Sequence, residues 1–360
     1  MVRVAITGLS NSGKTTVFNA LTRQNIETTI YPTIESRPNI GIVKVPDARL
    51  DRLSEILKPE KTTYATIEFI DYIGLTKGDI EQNRRVFDLI KDVDAMTQVV
   101  RAFGDSSIVH PMGPVDPIRD IETVELELIF GDLDLIEKRL DRMKDLLKRG
   151  KKPDELEKKV LLKCKDFLNK EVPLREANLD EEEQKALRHL QFLSIKPETV
   201  VLNIGENDLK TDRLKELKSA ISERLTTLPL LIMCAKIEME LAQLPSEEAR
   251  LFFDDLGIDE PASEKLIRAC YSLLGLVTFF STAGREVRAW SIKKGTLAQK
   301  AAGKVHTDIE RGFIRAEVIS FDDFISAGSM HVAKDKGLLR LEGKSYEIKD
   351  GDIVNFRFNV

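Results

Sequence analysis

Residues 8–16 read Gly-Leu-Ser-Asn-Ser-Gly-Lys-Thr-Thr and satisfy G-x-x-x-x-G-K-[ST] at every position. No other stretch restricts the fold as much, because such a loop works only between a parallel strand and the helix that follows it. Both flanks agree. Residues 2–6 are an apolar run of buried-strand length, and residues 16–21 read as the first turns of a helix. Gly8 and Gly13 let the backbone curl so that N–H groups face phosphate oxygens. Lys14 adds a point charge for the terminal phosphates, and Thr15 offers a hydroxyl to Mg²⁺. Asn11, Ser12, Gly13 and Thr16 complete the stretch expected to hold the phosphates.

Strand-like and helix-like segments alternate over residues 1–121, with further strands expected at 67–71 and 95–103. That rhythm specifies a doubly wound, mostly parallel α/β sheet with right-handed crossovers. Residues 122–197 then become helical and highly charged. Leu133, Ile136, Leu140, Met143 and Leu147 follow the alternating three- and four-residue spacing of a heptad seam. Arg149-Gly150-Lys151-Lys152-Pro153 breaks it, and Leu156, Val160, Cys164 and Phe167 carry an apolar stripe back. We read an inserted antiparallel helical hairpin with a basic tip, the alternative being an ordinary solvated helix pair. The sheet resumes at 198–203 and 229–234, so residues 198–275 complete the nucleotide-binding domain. Residues 276–360 change to short strands and turns, an α+β module of β-grasp-like alternation.

With 55 Lys and Arg against 60 Asp and Glu the net charge is −5, which disfavours nucleic-acid binding by bulk attraction and leaves local basic patches open. Three cysteines without C-x-x-C spacing form neither a disulfide framework nor a zinc site. No apolar run approaches a membrane span and the first residues enter a strand directly, so a cytoplasmic protein is expected.

Asp71-Tyr72-Ile73-Gly74 fits D-x-x-G at a strand end. Asp71 can hold Mg²⁺ through a water, and Gly74 can offer its N–H to a γ-phosphate. Thr33, within Tyr31-Pro32-Thr33-Ile34, is the candidate switch threonine for Mg²⁺ and γ-phosphate, its alternative being a turn or N-cap threonine. Asn203-Ile204-Gly205-Glu206 stands where GTPases usually carry N-K-x-D. There the Asp accepts two hydrogen bonds from guanine. Ile204 replaces the Lys, and Glu206 is one methylene too long, so bidentate pairing with guanine is lost. Asn203 could still meet an adenine edge, and Ile204 offers an apolar face to either base. Cys234-Ala235-Lys236 fits the S-A-K position that covers the base.

These elements together resemble the YchF, or Obg-like ATPase, family. The resemblance covers nearly the whole chain: residues 8–22, 203–206, 233–238, 287–295, 301–308 and 355–360 look like its motifs, the last three groups like its TGS domain. It implies a GTPase-like domain (1–121 and 198–275), a helical insertion (122–197) and a C-terminal TGS domain (276–360). It also implies hydrolysis of ATP in preference to or alongside GTP, and association with the ribosome or its large subunit. Potassium stimulation is implied through Asn11. Leu75 sits where many GTPases place a water-orienting Gln and cannot replace it. The family's substitute is thought to be a histidine, and His110 matches that position. Four function classes follow: an Mg²⁺-dependent ATPase with Lys14, Gly74 and His110 in catalytic roles, a slow nucleotide-binding switch, a GTPase, and an RNA-binding adaptor. A monomer is the default.

Overall fold

The computed structural model describes residues 1–27, 38–209, 213–224, 228–282 and 284–359. The chain divides into two compact units. One takes Val2–Gly41 and Glu68–Leu266, and the other takes Met1, Ile42–Ile67 and Ile267–Val360.

In chain order the strands are β1 (Val2–Thr7), β2 (Asn39–Lys44), β3 (Lys61–Thr63), β4 (Thr66–Asp71), β5 (Ala95–Arg101), β6 (Glu198–Asn203), β7 (Leu230–Met233), β8 (Leu276–Ser281), β9 (Glu286–Lys293), β10 (Phe313–Ser320), β11 (Arg340–Glu342) and β12 (Asp352–Phe358). The nucleotide-binding sheet has the order β2-β4-β1-β5-β6-β7. β1 pairs with β5, β5 with β6, and β6 with β7, all in parallel. β5 and β6 are buried at every position, as expected for strands covered on both faces. The doubly wound sheet read from the sequence is therefore present.

Helices α1 (Lys14–Thr22), α2 (Ala48–Leu57) and α3 (Ile80–Ile90) precede the long α4 (Pro117–Lys148). α4 starts ahead of the composition shift near residue 122, with Asp116 capping it through Arg119 N and Pro117 at its first turn. Its early residues Val124 and Leu128 pack into the sheet's core beside Ala5, Ile70, Leu75 and Met96. Farther along, Ile136 and Met143 pack against Val160, Leu161, Cys164 and Leu168 of α5 (Glu155–Leu168). That is the expected hairpin seam. Leu147, its last position, is 47% exposed, beyond the reach of α5. Then follow α6 (Glu181–Leu187), α7 (Arg213–Arg224), α8 (Ala235–Leu241), α9 (Ser246–Asp255) and α10 (Ala262–Leu273).

The second unit holds a mixed sheet, β11-β10-β12-β8-β9-β3. β8 and β9 are antiparallel, as are β10 and β12, while β12 lies parallel to β8. Ala298, Ala301 and Ala302 of the helix Ala298–Val305 cover Phe279, Val318 and Val354. Small residues there let the helix approach the sheet closely. This is the α+β module expected after residue 276. One correction follows: residues 42–67, which the local rhythm assigned to the nucleotide-binding domain, fall in this unit. The physical reason is β3, which pairs in parallel with β9 across more than two hundred residues of sequence. Such a long-range pairing leaves no local pattern.

Candidate nucleotide site

Most of the expected site residues meet at the carboxyl ends of β1, β4, β5, β6 and β7, the edge where open α/β sheets bind ligands. Most of the phosphate-loop residues, Gly74, and residues of the 203–206 and 234–236 segments line a cavity of about 720 Å³ in the first unit.

The phosphate loop needs both of its glycines. Gly8 has φ 132° and Gly13 φ 94°. A Cβ on Gly8 would lie 2.3 Å from Val99 O, and one on Gly13 2.2 Å from Asn203 Nδ2. Lys14 is buried, and its Nζ donates to Leu9 O at 2.8 Å. Burial pushes its ammonium down to about 8, with Asp71 pulling weakly the other way. Thr15 Oγ1 donates to Asp71 Oδ2 at 2.8 Å, and Asn39 Nδ2 donates to the same oxygen at 3.2 Å. Asp71 Oδ1 is buried and has no hydrogen-bond partner among the described residues. Burial raises the Asp71 carboxyl, against Lys14, Thr15 and Asn39. A hydroxyl and a carboxylate with an unsatisfied oxygen suit a hard, oxygen-seeking cation such as Mg²⁺. Gly74 stands so close to the loop that a Cβ would lie 2.6 Å from Ser10 N and 2.7 Å from Lys14 Nζ.

At the base end, Asn203 has a part that the sequence did not suggest. Its Nδ2 donates to Ser12 O at 3.0 Å, and its Oδ1 accepts from Ala235 N at 3.2 Å. The carboxamide braces the phosphate loop against the 234–235 turn while still lining the cavity, with one N–H and one oxygen lone pair left over from these two bonds. Ile204 is buried and lines the cavity, as do Cys234, Lys236 and Glu206. Ala235 is buried beside them, while Lys236 and Glu206 are exposed at the rim.

Three further expectations concern Leu75, His110 and Thr33. Leu75 is 1% exposed and packs with Leu9, Tyr72 and Val86, while its N–H donates to Gly8 O at 3.0 Å. Its side chain belongs to the core. His110 is buried, and residues lining the cavity do not include it. Its Nδ1 accepts from Met112 N at 3.1 Å, which leaves Nε2 to donate to Asp120 Oδ2 at 2.8 Å. Both ring nitrogens are spent, so the histidine does not stand among the phosphate-facing groups. Thr33 lies outside the described residues.

The sequence reading missed the wall formed by Phe103, Asp105 and Ile108. Arg101 organises that wall: its guanidinium donates to the carbonyls of Phe103, Asp105 and Ile108 and lies 4.5 Å from the Phe103 ring. Asn11 adds a tie, donating to Val109 O at 3.0 Å. The available signal was position. β5 ends at Arg101 rather than at 103, so the residues after it are a loop at the ligand-binding edge.

This geometry defines a P-loop nucleotide-binding protein built on a GTPase-like sheet. A family model described as 50S ribosome-binding GTPase matches residues 3–130, and one for the YchF GTPase C-terminal domain, described as a protein of unknown function, matches residues 276–359. The chain is 43% identical over 360 residues to the "Ribosome-binding ATPase YchF" of Bacillus subtilis, covering 99% of this chain and 98% of that protein. It is 42% identical over 366 residues to the protein of that name from Haemophilus influenzae, covering 99% of both. The solved Schizosaccharomyces pombe YchF GTPase superposes with a TM-score of 0.84 at 29% identity, over 99% of this chain and 97% of that one. The chain belongs to the YchF family.

Proposed function

We propose that this chain is an Mg²⁺-dependent ATPase whose nucleotide state governs its association with the ribosome. The observation that carries the reading is the convergence of Lys14, Thr15 and Gly74 on one cavity, with Asp71 bonded to Thr15 and with Ile204 and Glu206 standing where guanine readers place Lys and Asp. The name of the Bacillus subtilis relative, ribosome-binding ATPase, supports it.

In this reading residues 11–16 hold the phosphates, with Lys14 against the terminal ones. Thr15 Oγ1 and the free Asp71 Oδ1 would hold Mg²⁺, which supplies neutralisation of charge developing on the transferred phosphoryl group. Gly74 offers its N–H to the γ-phosphate. With one donor of Asn11 on Val109, its carboxamide oxygen is the atom it could offer K⁺. Ile204 presents an apolar wall to the base, and Glu206 at the rim is too long to mimic the guanine-reading Asp. ATP is the better fit, with GTP weaker or comparable. Leu75 faces the core and His110 is bonded away, so no described side chain orients the attacking water in this arrangement. Turnover is slow until His110 is released, and the protein spends most of its cycle as a binding switch.

The ribosomal partner, its large subunit or rRNA, would meet exposed cations. Arg149, Lys151 and Lys152 at the hairpin tip are exposed, as are Lys294 and Lys304 in the C-terminal unit. Of the neighbouring lysines, Lys148 pairs with Asp145, Lys300 pairs with Glu310, and Lys293 donates to Leu274 O. Among the described residues no helix is long and apolar enough to cross a membrane.

Titration calorimetry with non-hydrolysable ATP and GTP analogues, in Mg²⁺ and K⁺, tests the reading. Tighter ATP binding supports it. GTP ahead by an order of magnitude makes the protein a GTPase in the same frame.

A further inference from the structure

Two carboxylates on the first helix of the hairpin reach back to the loops of the nucleotide site. Asp120 and Glu127 stand seven residues apart, two helical turns, and so share one face of α4. Asp120 Oδ2 holds His110 Nε2. Glu127 Oε1 accepts from Gly78 N at 2.8 Å, and its Oε2 accepts from Asn83 Nδ2 at 2.7 Å. Asn83 grips the same loop from α3, accepting from Thr76 N at 3.0 Å and donating to Thr76 O at 2.8 Å.

The loop that begins at Gly74 is therefore tied to α4 directly and through α3, and the loop carrying His110 is tied to α4 one heptad earlier. Neither carboxylate lines the cavity. Neither is needed to cap the helix, because Asp116 does that. We propose that Asp120 and Glu127 are positioning residues through which α4 holds both loops in a resting arrangement. A load on the hairpin then frees His110 and the Gly74 loop together. The inference rests on the ATPase reading and adds the route by which a partner on the hairpin changes turnover. A helix can carry such a displacement because its hydrogen-bond ladder is stiff. Bonds of 2.7–2.8 Å are lost once the partners separate beyond about 3.5 Å, so a shift of under an ångström suffices.

The test uses the full chain with Glu127→Gln and Asp120→Asn, each also combined with His110→Gln. Both changes keep the side-chain shape, but each puts an amide NH₂ against existing donors, Asn83 Nδ2 in one case and the Arg119 or His110 N–H in the other. Three quantities are read: kcat and KM for ATP, the thermal midpoint, and amide hydrogen exchange of residues 74–78. The expected result is kcat raised about fivefold, the equivalent of one resting-state hydrogen bond, with KM nearly unchanged. Exchange in 74–78 quickens in Glu127→Gln, and the gain from Asp120→Asn disappears in the His110→Gln background. Unchanged kcat in both variants, or a fall in both, overturns the inference. If the wild-type chain hydrolyses no ATP, the ATPase reading falls by itself. The exchange measurement then decides alone, and unchanged exchange in Glu127→Gln overturns the coupling.

Discussion

Raising the pH should weaken nucleotide binding through Lys14. Burial holds its ammonium at about 8 in the free protein, against an ordinary value of 10.5. A bound triphosphate favours the charged form and restores the higher value. Below pH 7 nearly every Lys14 carries its proton and affinity is flat. At pH 8 about half are neutral, and at pH 9 about nine-tenths. The dissociation constant for a non-hydrolysable ATP analogue should therefore rise about tenfold between pH 7 and 9, close to 1.4 kcal/mol. The terminal phosphate is already ionised across this range and contributes little. Calorimetry in two buffers of different ionisation enthalpy should show proton uptake on binding at pH 8.5. The linkage to stability has the opposite sign. Between pH 8 and 10.5 the unfolded chain binds the proton that the folded chain has lost, so this group makes the free protein more stable as pH rises. Affinity and stability should thus diverge across one window. An affinity constant from pH 7 to 9.5, with no proton uptake, would refute the argument that burial dominates Lys14.

Leu75→Gln should not accelerate hydrolysis, because residue 75 points into the core; burying an unpaired amide there should cost about 1–3 kcal/mol in a urea titration, and a rate gain would show that the loop re-aims. Gly13→Ala places a Cβ against Asn203 at positive φ, and the left-handed strain alone, about 1–2 kcal/mol, should weaken analogue binding about five- to thirtyfold; wild-type affinity would mean that the loop relaxes freely. Glu238 caps α10 by accepting from Ala262 N at 2.6 Å and Ser263 N at 2.8 Å, so Glu238→Gln should lose about 1–3 kcal/mol of stability, and an unchanged unfolding midpoint would contradict that cap. Replacing Arg149, Lys151 and Lys152 by Glu should lower ribosome co-sedimentation and flatten its salt dependence by about two to three in log–log slope, whereas an unchanged slope would move the contact elsewhere.

Sequence and structure agree most closely where chemistry forces a local pattern. Phosphate binding needs glycines, a lysine and a hydroxyl at fixed spacing, so residues 8–16 were legible at once. The hairpin was legible because Ile136 and Met143 must face Val160 and Cys164 at helical period. β5 and β6 were legible from their β-branched and apolar centres, Val99-Val100 and Val200-Val201-Leu202, although both also bury polar residues. What stayed hidden depends on contacts between residues distant in sequence. Nothing near Lys61–Thr63 signals a partner at Glu286. Asn203 reads as a base-contacting amide, and nothing in its sequence context shows that it also ties Ser12 to Ala235. His110 reads as a free imidazole until Asp120 and Met112 claim its nitrogens. Gln82, Asn83 and Glu127 carried no motif at all, although they fasten the loop from Gly74 to Gly78.

The bracing of Asn203 between Ser12 and Ala235 has a consequence for how such proteins diverge. The asparagine ties the phosphate loop to the 234–235 turn, whereas Ile204, packed in the core, and Glu206, exposed at the rim, line the base end of the cavity. On the ATPase reading, substitution of Glu206 would alter the preferred base while the grip on the phosphates is kept. In a lineage built on this scaffold, base preference and phosphate grip are then free to change separately.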